Sequence, residues 1–313
     1  MLDLADYICL VSAATVSVLM LIRSGKCACS VMPALVLLIL AYKYTFSVVE
    51  VILESFNPQV TFYWVTCLTI SSFILPLVPR KKISIIRKFF HAVVICMFGP
   101  LIRTQTAFDF ITVSGVLVLA FMVCLEYYRV THPKSDISIL LTRSFQPVLD
   151  KKDSAGSIIT SHMELLIAAI GPVWLRSISE SPLFHEQVIL MSGLVTVGVG
   201  DSLAAIVGIS LPQVHRIAKT GKSFEGSVAF LISVCLCFLV IEGGSLSFAA
   251  FTASVAATLT ECFVRNHDNI AIPSVFLFVY YLAQFVVYKL WNSVARHVHR
   301  NVGITISAPG DLS

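Results

Sequence analysis

The sequence predicts an all-α, polytopic integral membrane protein with about ten transmembrane helices, and three observations carry this expectation. Only 13% of the 313 residues are charged and 57% are hydrophobic, whereas soluble domains run to about 25% charged. Mean hydropathy is +0.87. Apolar runs of roughly 17 to 25 residues, the length that crosses a bilayer as a helix, follow one another with short polar breaks. Basic residues crowd into alternate breaks, as they do in a chain threaded back and forth through a membrane.

In chain order the expected spans are 4–22, 31–53, 60–79, 89–102, 107–127, 158–176, 187–209, 226–241, 245–262 and 270–291. The first is preceded by acids rather than bases and lacks a small-residue cleavage site, so it reads as a retained span and not a removed signal peptide. The fourth is short and ends in Gly99-Pro100, which suggests a re-entrant segment or a helix that continues, broken, into the fifth. Between the fifth and sixth lies the longest polar stretch, Tyr128 to Ser157, whose middle, Ile137 to Leu141, suits a short helix lying in the interface. The nine cysteines fall mostly inside apolar segments as small hydrophobes, and their spacing suggests no disulfide framework. Cys27 and Cys29, at a membrane edge beside Arg23 and Lys26, read as an inert pair.

Basic residues stay on the cytoplasmic side of short loops. With Met1 in the lumen, the loops 23–30, 80–88, 128–157, 210–225 and 263–269 are cytoplasmic and carry 16 of the 22 Lys and Arg. The opposite side carries Arg103, Arg296 and Arg300. The polar motifs of the chain all fall on the basic side, although none was used to assign it.

Asp201 stands in Val197-Gly198-Val199-Gly200-Asp201-Ser202, inside the seventh span. A carboxylate at that depth costs about 2.5–3.5 kcal/mol, so it is expected to face a polar cavity and act there. The neighbouring glycines let a backbone or a phosphate approach. The competing reading is a small-residue packing face at Gly193, Gly200 and Gly208. The loop after this span, from Ser210 through His215, Arg216, Lys219, Thr220, Gly221, Lys222, Ser223, Phe224 and Glu225 to Gly226, joins positive charge to hydroxyls and amides. These are the groups that hold a polyphosphate, and the next helix adds its N-terminal amides. Gly221-Lys222-Ser223 has the tail of a P-loop, but position 216 is Arg where that motif needs Gly and no strand precedes it, so a P-loop is excluded.

Arg87, Lys88 and His91 enter the fourth span from the basic side, with Arg87 and His91 on one helical face. They serve either as membrane anchors or as phosphate or substrate contacts. Glu261 and Asp268, with Asp201 and Glu225, offer hard oxygen ligands for a divalent ion. His162 and Glu164, two residues apart, point to different faces, and His162 reads as a hydrogen-bonding or packing residue.

Val197 to Ser202, with Lys-Thr-Gly-Lys-Ser-Phe-Glu-Gly-Ser at 219–227, resembles the signature of dolichol kinases and related polyprenol and phytol kinases. Arg87 to His91, Leu149 to Asp153, Ser161-His162, and Glu261 with His267-Asp268-Asn269 extend the resemblance over about 80–290. It implies three regions: N-terminal transmembrane helices (1–79), a polyprenol kinase-like catalytic membrane domain (80–291) and a lumenal tail (292–313). It also implies phosphoryl transfer from CTP to the terminal hydroxyl of dolichol, giving dolichyl phosphate for protein glycosylation. A divalent cation such as Mg2+ takes part, and the nucleotide site faces the cytosol from the endoplasmic reticulum membrane. The CTP loop maps onto Ser210 to Gly226. One departure is that Gly221 precedes Lys222 where two basic residues adjoin in the family, so a second charge must come from Lys219 or be absent.

The expected roles rest on charge and position: Lys222 on the β- and γ-phosphates, assisted by Lys219 and Arg216, with Asp201 and Glu225 positioning the metal. Asp201 is the first candidate for a base. No nucleic-acid partner is expected. The rival readings are a kinase of another isoprenoid alcohol such as phytol, a membrane cytidylyltransferase that would release pyrophosphate instead of CDP, and a transporter. A transporter should show paired interrupted helices in two halves, and the sequence has no such symmetry.

Overall fold

An apolar chain in lipid has to satisfy every backbone N–H and C=O internally, and helices do this within one segment. The computed structural model describes residues 54–78, 83–145, 159–178, 186–211, 215–217, 220–264 and 267–302. Among these residues the regular structure is helical, with one isolated antiparallel bridge between Arg216 and Ser223. The helices are α1 (Pro58–Ile74), α2 (Ile83–Arg103), α3 (Phe108–Thr131), α4 (Asp136–Phe145) and α5 (Ser161–Ile178). They continue with α6 (Gln187–Ser210), α7 (Phe224–Ile241), α8 (Phe248–Phe263) and α9 (Asp268–Val302). Local chemistry sets several starts. Asn57 caps α1 by accepting from Val60 N at 3.1 Å with Pro58 next in the chain, and Ser247 caps α8 by accepting from Ala250 N at 3.1 Å.

Six segments among the described residues are long and apolar enough to cross a bilayer: Pro58–Leu77, Ile85–Arg103, Phe108–Thr131, Gln187–Ser210, Phe224–Ile241 and Asp268–Ser293. The chain is a helical membrane protein, but the expected ten spans are not all found. The helix α5 forms where expected, yet His162, Glu164 and Arg176 dilute its hydropathy, and α8 has 16 residues. The expected spans 4–22 and 31–53 lie outside the described residues. The fourth span is corrected as well. It is one continuous helix, α2, with Pro100 in its last turn; the Cys96 carbonyl, which Pro100 leaves without its usual N–H donor, accepts from the Tyr63 hydroxyl instead. A turn at 104–107, with Gln105 and Ala107 at positive φ, separates it from α3. The short helix expected around Ile137 to Leu141 is present as α4, with Ser138 buried and Ile137 and Leu140 exposed.

The helix α6 is central to the packing. Val188 and Ile189 join a core with Phe230, Phe238, Phe276 and Tyr280 of α7 and α9, while Leu190 and Leu194 join a second with residues of α2, α3 and α5. Small residues set the spacing. Ala249, Ala250, Ala253 and Ala257 are buried along α8, and a Cβ built on Gly193 would lie 1.6 Å from the carbonyl oxygen of Ala168 on α5. Gly193→Ala is therefore expected to force these helices apart, lowering stability by about 1–3 kcal/mol. Heat resistance in detergent measures this, and a midpoint equal to the parent's would refute so close a crossing.

Candidate functional site

The helices alternate in direction, so the starts of α2, α5, α7 and α9 and the ends of α3, α6 and α8 meet at one end of the bundle. Asp201 sits on α6 nine residues before its end, about 14 Å down the helix from Ser210. It comes directly after a stretch of π-helical turns, Leu194–Gly200, a rare backbone form that is frequently found at functional sites. The extra residue per turn rotates the remainder of the helix, and the Asp201 carboxylate faces α2. Lys88 Nζ forms an ion pair with its Oδ2. His91 Nε2 lies 3.8 Å from the same oxygen.

His91 is 3% exposed, and its Nδ1 lies 2.8 Å from the Arg87 carbonyl, one helical turn back. That carbonyl can only accept, so Nδ1 carries a proton, and in the neutral ring Nε2 presents a lone pair. Nε2 is buried and has no hydrogen-bond partner among the described residues, as is also true of Ser202 Oγ. Buried polar atoms of this kind call for a ligand or water. The face expected to join Arg87 with His91 is thus used differently, because Lys88, three residues before His91, is the side chain that shares Asp201 with it.

A second lysine completes the cluster. Lys222 Nζ lies 3.2 Å from Asp268 Oδ2 and 3.3 Å from Glu261 Oε1, and Ser227 Oγ donates to Glu261 Oε2 at 2.8 Å. Burial alone would lower the pKa of Lys222, but Asp268, Glu261 and the nearby Asp201 outweigh it and hold the ammonium above the ordinary lysine value. Two lysines from distant segments therefore act on one set of three acids.

The described residues of the loop between α6 and α7, 215–217 and 220–223, close on one another. Ile217 N donates to Lys222 O at 2.8 Å, Gly221 N to Ile217 O at 2.7 Å, and Phe224 N to His215 O at 2.9 Å. Gly221 takes a φ of +73°, where a Cβ would be strained. Several residues expected to meet a nucleotide are engaged in building this turn. Thr220 Oγ1 donates to Cys262 O at 2.9 Å, and Ser223 Oγ accepts from Gly226 N at 3.1 Å as the cap of α7. Arg216 is exposed, with its guanidinium donating to Gly221 O at 3.1 Å and Gly208 O at 3.3 Å. Ser210 and Phe224 are exposed, and Lys219 lies outside the described residues.

Glu225 turns away from the acids expected to join it in holding a metal. Its carboxylate accepts from His215 N at 3.0 Å and meets His215 Nδ1 at 2.6 Å. Among the described residues no three His, Cys, Asp or Glu side chains form a ready ligand set. Glu261 and Asp268 do converge on one cationic atom, the Lys222 nitrogen. The glycines around Asp201 serve packing. A Cβ on Gly198 would meet Ile95 at 2.7 Å, and one on Gly200 would meet Val234 at 2.7 Å. Two residues of this end of the bundle, Glu164 and His267, carry no role that their sequence context suggests. His267 Nδ1 lies 2.6 Å from Glu164 Oε1. Nothing in their spacing, 103 residues apart, announces the pair.

No family model matches the chain, and no solved structure matches it. It is 29% identical over 242 residues to dolichol kinase sec59 of Schizosaccharomyces pombe, covering 72% of this chain and 47% of that one. It is 32% identical over 204 residues to the dolichol kinase of Homo sapiens, covering 61% of this chain and 36% of that one. An uncharacterized protein of Methanocaldococcus jannaschii is 28% identical over 201 residues, covering 63% of this chain and 92% of its own length. The similarity to dolichol kinases expected from 197–227 is therefore found in organisms as distant as a fission yeast and a human. The chain spans about half the length, or less, of these curated kinases.

Proposed function

We propose that the chain is a dolichol kinase that transfers the γ-phosphate of CTP to the terminal hydroxyl of dolichol, in the endoplasmic reticulum membrane with its nucleotide site facing the cytosol. The observation that carries this reading is the convergence of Lys88 and Lys222 on Asp201, Glu261 and Asp268 beside a closed loop at the bundle's basic end. A water-soluble polyphosphate and a lipid alcohol have to meet at such a boundary. CTP as the donor, and dolichol in place of another isoprenoid alcohol, rest on the similarity to dolichol kinases.

Phosphoryl transfer needs alignment and charge neutralisation more than covalent help from the protein. Lys222 neutralises the β- and γ-phosphates, and Lys88 holds Asp201 in the same cluster. The alcohol donates its hydrogen bond to the open Nε2 of His91. As the new O–P bond forms and the bond between the β,γ-bridging oxygen and the γ-phosphorus breaks, the hydroxyl proton passes to Nε2 and CDP leaves. The imidazolium then has the Asp201 carboxylate as its counter-charge. Asp201 is already held by Lys88, so the role of base moves from it to His91.

A divalent cation carried by nucleotide phosphates needs only one or two protein carboxylates. Glu261 and Asp268, which already share a cation, are the pair that would hold it, and it would neutralise further phosphate charge.

The test is purified protein in detergent with dolichol and CTP labelled in the γ-phosphate. Labelled dolichyl phosphate and free CDP are expected, and both should vanish in chelator. Release of pyrophosphate with a cytidylated lipid would instead identify a cytidylyltransferase, and no labelled lipid with any isoprenoid alcohol would end the kinase reading.

A further inference from the structure

Beside the lysine cluster lies a second buried polar group that the proposed reaction does not use. Glu164, in the first turn of α5, is 6% exposed. Its Oε1 accepts from Thr160 Oγ1 at 2.7 Å and faces His267 Nδ1 at 2.6 Å. A buried carboxylate is costly unless it is paired, and this one ties the start of α5 to the start of α9. His267 pays for the tie in backbone conformation, at a φ of +56°. A bulky L residue persists there only when its surroundings over-determine it, whereas glycine would adopt the turn freely.

The same residue opens α9. Its carbonyl accepts from Ile270 N at 3.1 Å and Ala271 N at 2.9 Å. The next residue is Asp268, whose Oδ2 holds Lys222 at 3.2 Å. The side chain of His267 thus points to one helix while its backbone sets the direction from which Asp268 reaches the lysine.

We infer that His267 is a positioning residue: anchored on Glu164, it fixes the turn that presents Asp268 to Lys222, and so sets where Lys222 meets a nucleotide's phosphates. Only the last clause rests on the function proposed above. The placement of Lys222 does not.

The experiment uses the whole chain in detergent with His267→Gly, Glu164→Gln and the double variant. His267→Gly removes the imidazole and relieves the strained φ together, so the turn has no reason to unfold. The first readout needs no catalysis: the rate at which an amine-acetylating reagent modifies Lys222, tracked by mass spectrometry against exposed Lys289. Each single variant is expected to release Lys222 from its carboxylates and raise that rate about tenfold, the low end for weakening a hydrogen bond to a charged group. The double variant should add nothing, because both changes remove one contact.

His267→Asn, which tolerates the positive φ and still offers a donor toward Glu164, should stay near the parent rate and guards against a folding artefact. In transfer assays the KM for CTP should rise about tenfold while the KM for dolichol stays within about twofold. An unchanged acetylation rate in His267→Gly overturns the inference whatever the kinetics, and so does a parallel rise in both KM values. A parent protein that transfers no phosphate would remove the kinase reading and leave the acetylation result to decide this one.

Discussion

Asp201→Asn is expected to lower turnover at least about 100-fold, the lower range for disabling a catalytic acid–base group. The substitution keeps size and most hydrogen bonding and deletes one charge. That charge holds Lys88 in an ion pair and lies 3.8 Å from His91 Nε2, so its loss frees the lysine and removes the counter-charge of the imidazolium. From the sequence alone the variant should gain stability, because burying an amide costs less than burying a carboxylate. The structure reverses the sign. The Lys88 side chain is 12% exposed, and leaving it without its partner is destabilising.

The double variant Lys88→Met with Asp201→Asn removes both charges, and is expected to recover heat resistance without recovering activity. Turnover in Asp201→Asn within about threefold of the parent would take Asp201 out of the site. An active double variant would do the same.

Lys222→Ala is expected to cost about 10²- to 10³-fold in transfer, the range for removing one preorganised donor to developing charge. It also leaves Glu261 and Asp268 facing each other without the ammonium between them, so heat resistance should fall. Lys222→Arg separates charge from geometry. It keeps the charge and is expected to preserve stability, but its planar fork does not reproduce a point charge between two carboxylates, so activity should stay below the parent's. Lys222→Ala with parent-like transfer would leave the loop's basic residues no role beyond keeping it on the cytoplasmic side of the membrane. Arg296→Ala, on an exposed part of α9, is the control and should change nothing.

Much of this site was legible as residue types and little of it as pairings. Asp201, Lys222, Lys88, His91, Glu261 and Asp268 all stood out, each because a charge inside or beside an apolar run is costly and has to be answered by something. The partner of each one did not stand out. Glu225 looked equivalent to Glu261, yet it closes the loop through His215 while Glu261 holds Lys222. Thr220 and Ser223 looked like phosphate donors, and they fasten the turn and cap α7. The glycines flanking Asp201 looked like room for a phosphate and are filled by Ile95, Val234 and Phe230.

The sequence by itself determined that this is a helical membrane protein, where most of its helices run, and that its polar motifs gather at the basic end. Each of these comes from a sum over neighbouring residues, hydropathy along a run or charge within a loop, and such sums are local. Only the tertiary structure decided which acid meets which lysine, that π-helical turns aim Asp201 at α2, and that Glu164 reaches His267. Those outcomes depend on angles that accumulate along α6 and on contacts between segments 39 to 113 residues apart. A shift of one residue in helical register, about 100° of rotation, would exchange every partner without changing the hydropathy of any helix.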